Sequence, residues 1–460
     1  MTADPTLAAA QVLADLDPQV GHHNGNGNGT DDTPPPPPKR DTPPNLPAAF
    51  YDERPALAHV RDAAYSRARS ADAVLGCTLA RVAVLAPPTL RLPAPVDTEA
   101  TLDVAVAIIG HSGSGKSGGN RVAAALLPVD GTDLRIRPLG SAEGIAEAYH
   151  GMVDELDDNG KPQRVKRQTV RGVLFELDEG QALADMGARA GSKLMPTVRS
   201  AAHGQRLGES NASDDRTRHL APGEYRFALV AGFQTEHAVA LIDDAGGGTP
   251  QRFFFFAAED AAIPDDAPPW PGQLDWRPPV HGAGPMGLDT QVAAEIRARA
   301  LARSRGELVI DPLDAHRDLN RLKVAGLLAL LDGRTDITAA DWRLAGQVLN
   351  SSDRVRAGII DAARWRAREN ERTRTAKLAR QAAHLDDDAS ARALANMARA
   401  VARHVHRGKC AEGCRRRCVT TATSSKDRKL STIDDALDAA VGHGWVVLDD
   451  DNIRPGEVTP

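Results

Sequence analysis

The sequence predicts an α/β fold: a largely parallel sheet interleaved with helices, a helical preface before it, and a helical lid region and a winged-helix-like domain after it. Three observations carry this reading. Apolar runs at 104–109, 172–177, 225–233 and 253–256 alternate with segments of helical spacing, as in strands joined by crossover helices. The first run breaks into Gly110-x4-Gly115-Lys116-Ser117, and Ser117 to Leu127 then has the apolar content of a helix. Another run, Gly172-Val-Leu-Phe-Glu-Leu, ends in two carboxylates, Asp178 and Glu179. In such sheets a ligand lies at the carboxyl ends of the strands. The glycine loop, the acidic pair and Gln234 all fall there.

The boundaries follow from composition. Residues 1–47 hold Asn24-Gly-Asn-Gly-Asn-Gly29 and Pro34 to Pro38 with little apolar content, and are expected to be a disordered tail. In the helical preface, 48–100, Leu57, Val60 and Ala64, then Val74, Leu75, Leu79 and Val82, recur at helical spacing. Two helices are expected, broken near Ser70, which would cap the second and which precedes the stop at Pro87-Pro88. The preface would pack on the core or on a neighbouring subunit.

The core, 101–287, continues with a strand at 134–137, Gly140-Ser-Ala-Glu143-Gly144, and a helix reaching Met152. A polar hairpin or loop follows at 154–169, then the acidic strand, a helix and a basic loop. The lid region, 288–387, reads as helices with Leu319, Leu322, Ala325, Leu328 and Leu331 on one face and a further helix opening at Asp341-Trp342. In the last domain, 388–460, helical patterns at 391–405, 415–424 and 431–442 precede Gly444-Trp-Val-Val-Leu448 and an Asp-rich turn, the parts of a winged helix.

The loop between strand and helix is a phosphate-binding P-loop in its required context. Gly110, Gly113 and Gly115 let backbone N–H groups turn inward, so the stretch Gly110, His111, Ser112, Gly113, Ser114, Gly115, Lys116 and Ser117 would cradle ATP. The helix N-terminus adds its partial positive charge. Lys116 would reach the outer phosphates and the Ser117 hydroxyl would ligate Mg²⁺.

Composition narrows the classes. The net charge of −6 excludes a uniformly basic nucleic-acid binder, so any DNA contact must be local. No apolar run approaches about 18 residues, so no membrane span is expected. The start lacks a basic segment followed by an apolar one, and the cysteines form no disulfide framework: Cys77 stands alone while Cys410, Cys414 and Cys418 crowd together. A cytoplasmic protein is expected.

Taken together, Ala73-Val-Leu-Gly76, Ala80-Arg-Val82, the P-loop, Gly140-Ser-Ala-Glu-Gly144, Leu177-Asp-Glu-Gly180, Thr249-Pro-Gln-Arg-Phe253, Leu322-Lys-Val-Ala325 and Asp332-Gly-Arg334 give the chain a likeness. From about 50 to 445 it resembles the RecA-like helicase/ATPase domains of phage, plasmid and actinobacterial replication proteins. The resemblance implies a RecA-like P-loop NTPase core that assembles into a hexamer, hydrolyses ATP with Mg²⁺ and moves on single-stranded DNA. Such domains often stand beside primase-polymerase modules. The residues ahead of the core are too few for one, and a primase is expected as a partner.

Within that frame Asp178 would hold Mg²⁺ through water and Glu179 would polarise the attacking water. Glu143 competes for the base role, because RecA-like ATPases commonly place it after the strand that follows the P-loop helix. AAA-type ATPases use the Asp-Glu pair, and both readings stand, with Glu179 preferred. Gln234 would sense the γ-phosphate, or be an ordinary loop residue. Arg252, before four phenylalanines, would be an arginine finger reaching a neighbour's γ-phosphate, or a structural salt bridge. Lys193, Arg199, Arg206, Arg216 and Arg218 lie in a loop suited to gripping phosphates, although it has no aromatic residues for stacking bases.

Cys410-x3-Cys414-x3-Cys418, with His404 and His406 just before it, has the composition of a zinc site. On one continuous helix the three thiols could not reach one ion, so a turn near Gly413 would be needed. The other reading is small buried cysteines in a helical domain. Three functions are consistent with these motifs: an ATP-driven DNA-replication motor of helicase type, an ATPase switch or loader that binds duplex DNA through a winged helix, and a small-molecule kinase. No acceptor-substrate motif accompanies the last.

Overall fold

The computed structural model describes residues 44–96, 98–128, 134–157, 160–187, 192–208, 219–244, 246–278, 284–407, 410, 412–449 and 452–460. The expected tail up to 43 and the loop arginines Arg216 and Arg218 lie outside the described residues.

Five parallel strands form the central sheet: β1 (Val104–Ile109), β2 (Leu134–Pro138), β3 (Gly172–Leu177), β4 (Arg226–Phe233) and β5 (Phe253–Ala257). Their spatial order is β2-β3-β4-β1-β5. The apolar runs are continuous because both faces of the sheet are covered. Val104, Val106 and Ile108 enter the core on one face, while Ala105, Ala107 and Ile109 enter the core on the other. The four phenylalanines of β5 divide likewise: Phe254 and Phe256 point to one side, Phe253 and Phe255 to the other. β2 at the edge is more exposed.

The preface is an integral part of the core. Helices Pro55–Tyr65 and Ala71–Leu85 break where expected, and the Ser70 hydroxyl accepts from Ala73 N. The second helix is buried from Ala71 to Val84 and lies across β1, β3, β4 and β5. Gly76 permits this contact: a Cβ there would sit 2.5 Å from the Phe256 ring.

Two expectations need correction. The helix after Gly140 spans only Ala142–Glu147, and Met152 lies in a strand, His150–Leu156, paired antiparallel with Pro162–Gln168. The apolar spacing around Ile145 and Tyr149 suggests a longer helix. Cross-strand pairing wins, supported by the Arg167–Glu155 ion pair, as does the polar hairpin expected just beyond. The boundary at 388 falls inside a single helix, Ala339–Val405, 67 residues long and so about 100 Å. Thr338 and Asp341 form its capping box. No glycine or proline occurs from 359 to 407, so nothing in the sequence stops it. Its first part packs on the helix Arg317–Leu331 and on β5, its last part on the C-terminal module, and residues 370–388 between them are mostly exposed.

That module contains helices Arg416–Thr420 and Ile433–Gly442 and an antiparallel sheet in which Asn452–Pro455 lies between Cys414–Arg415 and Val446–Asp449. No helix among the described residues is long and apolar enough to cross a membrane.

Candidate functional site

The carboxyl ends of β1, β3 and β4 form the candidate site. β1 ends at Ile109, where Gly110 N donates to the Phe233 carbonyl of β4 (3.1 Å) and Ala258 N donates to the Ile109 carbonyl (2.7 Å). These bonds pin the root of the glycine loop between two neighbouring strands. Gly110 has no room for a side chain: a Cβ would lie 2.4 Å from Ser114 Oγ. Gly113 and Gly115 have φ of +80° and +86°, left-handed backbone that favours glycine. His111, Ser112 and Gly113 form the exposed rim.

Gly115 is the N-cap of helix Lys116–Leu126 and has no side chain with which to cap it. The first-turn N–H groups and the helix dipole therefore face the loop, an arrangement that can hold an anion. Lys116 Nζ bends back to donate to the carbonyls of Gly110 (3.2 Å) and His111 (2.7 Å). Partial burial lowers its pKa, and the carboxylates of Glu236 and Glu259 act in the opposite direction. Ser117 stands beside it in the same helical turn.

Gly232, near the end of β4, brings the loop and the acidic strand end together. A Cβ on it would meet the Asp178 carbonyl at 2.9 Å and Lys116 Cβ at 3.4 Å. A side chain here would push against the Asp178 backbone carbonyl and fill the space up to Lys116 Cβ. Gly180 N donates to the Gly232 carbonyl at 2.6 Å, lacing the turn after β3 onto β4. Asp178 and Glu179 are exposed at this end. Their oxygens, with the Ser117 hydroxyl, are the hard donors that Mg²⁺ requires. Gln234 follows β4 directly, half-buried, its carbonyl accepting from His237 N and Ala238 N.

The two base candidates separate in space. Glu179 follows β3, two strands from β1, or about 10 Å of sheet. Glu143 follows the edge strand β2, three strands from β1, or about 14 Å. Its own backbone N–H and the Ser141 hydroxyl hold its pKa low, with Lys193 adding to this. Glu143 thus serves the first turn of its own helix.

Arg252 lies elsewhere. It precedes β5, and Phe253 is level with Ala105, so Arg252 sits at the amino end of the sheet, opposite the glycine loop. Its guanidinium donates to the Gly248 carbonyl (2.6 Å) and to His203 Nδ1 (3.1 Å). Neither partner is a carboxylate, so the expected structural salt bridge is replaced by hydrogen bonds. A cation at this position cannot reach the loop of its own chain.

The basic segment is also different from expectation. Residues 194–202 are helical, and Arg199 is bound to Asp244 (2.7 Å) and the Thr249 hydroxyl (3.0 Å). Arg206 is exposed just before a bridge between Leu207 and Leu220 closes the base of the loop.

Several groups around the site went unread in the sequence. Arg69 lies against the loop, within 3.2 Å of where a Gly115 Cβ would be, and a Gly118 Cβ would collide with it at 2.3 Å. It follows Ala68, whose φ of +49° marks a sharp turn between the two preface helices. Glu259 binds His111 Nδ1 at 2.6 Å. Glu236 pairs with Arg366 of the long helix at 3.4 Å. Gly118, in the first turn of a helix, is the sequence signal for the close approach of Arg69, as the adjacent Gly119 is for that of Ala73. The other two pairs join distant segments and have none.

No protein-family model matches this chain, and no curated protein matches it.

Proposed function

We propose that the chain is an ATP-hydrolysing motor that acts on DNA, built on a RecA-like P-loop core and most like the hexameric replicative helicases. The observation that carries this reading is the convergence of Lys116 and Asp178 on either side of Gly232, in a sheet whose order sets one strand between the glycine-loop strand and the acidic strand. In this reading the loop N–H groups and Lys116 bind the ATP phosphates, and Lys116 must leave the carbonyls of Gly110 and His111 to do so. Ser117 and Asp178 would hold Mg²⁺, which screens phosphate charge when bound. Glu179 orients and deprotonates the attacking water, and Gln234 senses the γ-phosphate. Single-stranded DNA would contact the basic loop around Arg206, and a winged-helix-like C-terminal module would add a second DNA contact through the exposed Arg415, Arg417 and Lys426.

A second reading is an ATPase switch or loader that binds duplex DNA without unwinding it. The internal bonding of Arg252 favours it, because a ring motor needs a cation from the neighbouring subunit. The test is the ATPase rate of size-fractionated protein with and without single-stranded DNA. The motor reading expects a ring fraction whose turnover rises with single-stranded DNA, and Glu179→Gln protein that binds ATP but hydrolyses it at least about 100-fold more slowly. A monomer stimulated only by duplex DNA supports the switch. A crippled Glu143→Gln beside an active Glu179→Gln reassigns the base.

A further inference from the structure

The C-terminal module holds a second cluster of chemistry that the proposed ATP site does not use. The long helix ends at Val405, and the chain then folds back on itself. Gly413 makes the turn with φ of +107°, and Asn452 packs where its Cβ would be, 2.4 Å away. The chain next pairs as a strand, Cys414 opposite Ile453, and enters the helix Arg416–Thr420, which contains Cys418. The turn that three thiols at this spacing require is therefore present. It brings residues from a helix end, a knuckle and a second helix to one point.

At that point His404 Nε2 lies 3.1 Å from Cys418 Sγ and 3.7 Å from Cys410 Sγ. The ligand atoms of His404, Cys410 and Cys418 all lie within 4.8 Å of one another. Cys414 stands outside that trio but directly follows the Gly413 turn, half-buried, on the strand that leads into the Cys418 helix. His406 is turned away, its Nε2 on the Trp445 carbonyl at 2.7 Å.

These separations are close to those that one ion imposes, and small side-chain rotations would complete the fit. Tetrahedral zinc with Zn–S of about 2.3 Å and Zn–N of about 2.0–2.1 Å needs ligand atoms about 3.5–3.8 Å apart. We propose that His404, Cys410 and Cys418 hold a structural zinc ion, with the neighbouring Cys414 turning in to close a Cys3His site, fastening the end of the long helix to the C-terminal module. Soft thiolates with one imidazole select zinc over the hard cation of the ATP site. Four protein ligands leave no open position, the mark of a structural site.

The module has reason to need such a staple. Its buried cluster is built largely of small residues, Ala398, Val401, Ala402, Val405, Val419 and Ala440 among them. So small a core gives limited stabilisation, and small domains commonly compensate with a metal or disulfides.

The test uses the full chain, purified under reducing conditions with no metal added. Elemental analysis should find about one zinc per chain. The chelator-stripped protein, titrated with Co²⁺, should develop the strong visible bands of tetrahedral cobalt and thiolate-to-cobalt charge transfer, and Zn²⁺ should displace both. Cys410→Ser, Cys414→Ser, Cys418→Ser and His404→Ala should each lose the metal, while Cys77→Ser keeps it. Zinc-free protein whose cobalt complex lacks charge-transfer bands would overturn the site without reliance on any variant. So would a disulfide among the three cysteines in protein trapped with a thiol-blocking reagent. Zinc retained by both Cys410→Ser and Cys418→Ser would place the ion elsewhere. Retention by Cys414→Ser alone would overturn the closed four-ligand set.

Discussion

At the carboxyl end of the central sheet, Asp178 and Glu179 are exposed and Lys116 rests on two backbone carbonyls. At the amino end, Asp103, Arg226 and Lys323 are sealed from solvent. Asp103 accepts from Phe227 N at 2.7 Å, and Lys323 donates to the carbonyls of Asp103 (2.7 Å) and Ala202 (2.5 Å). Burial pushes the Lys323 amine down to about 8, with the Asp103 carboxylate drawing it back up. Both ends are rich in charge. Only at the carboxyl end do left-handed glycines, an open helix N-terminus and exposed carboxylates stand together. Charge that is buried between the strands and bonded to their backbone holds them in place, and charge that faces solvent beside a backbone cradle can meet a ligand. Arg252 belongs with the first kind.

The comparison is most sharply tested at Lys116. Lys116→Ala should lower ATP turnover by about 100-fold or more while its melting curve shifts by no more than about 0.5 kcal/mol. Near-normal turnover in folded mutant protein would remove the functional meaning of the carboxyl end. The amino end should respond in the opposite way. Lys323→Met leaves two buried carbonyls without their donor and should cost about 2–4 kcal/mol in denaturant unfolding, with turnover per folded chain unchanged. An unchanged midpoint would mean that the buried charge is not structural.

Arg252→Ala should cost about 1–2 kcal/mol, since two hydrogen bonds are lost, and keep its turnover. Mixing experiments can break this part of the comparison. If Arg252→Ala is inactive alone and activity returns on mixing with Lys116→Ala protein, then Arg252 serves a neighbouring subunit's site and the amino end is functional after all.

The effect least visible near neutral pH is a pH dependence. Burial, with the positive charges of Lys323 and Arg252 nearby, pushes the His203 imidazole down to about 2. Its neutral Nδ1 accepts from Arg252. Because the folded pKa lies below the ordinary value of about 6.5, His203 contributes stability above that pH and loses it as pH falls towards 2. Asp72 works the other way: burial raises it to about 6, so its contribution is greatest in acid and fades as pH rises from about 4 to 6. Comparing wild type with His203→Gln isolates the histidine. The mutant should gain on the wild type by up to about 1.4 kcal/mol per pH unit below about 6. Parallel stability curves would show that His203 takes up a proton as readily in the fold as in the unfolded chain.

Much of the local structure around the candidate site was legible in the chain. The limits of β1, the left-handed glycines, the Ser70 cap and the acidic end of β3 are local features. They are set by side-chain period, φ preference and burial on both faces, all encoded within a few residues. The helix through 388 was missed, because the change in composition there suggested a boundary although no glycine or proline interrupts the chain at that point. What the tertiary structure decided is which strand neighbours which. That choice placed Gly232 between Lys116 and Asp178, set Glu143 an additional strand away, carried Arg252 to the far end and turned Met152 into a hairpin. It also gathered His404 with Cys410 and Cys418 across a turn that the spacing alone could not specify. Such contacts join residues distant in sequence, and they form only when the whole sheet and its covering helices bury their faces together.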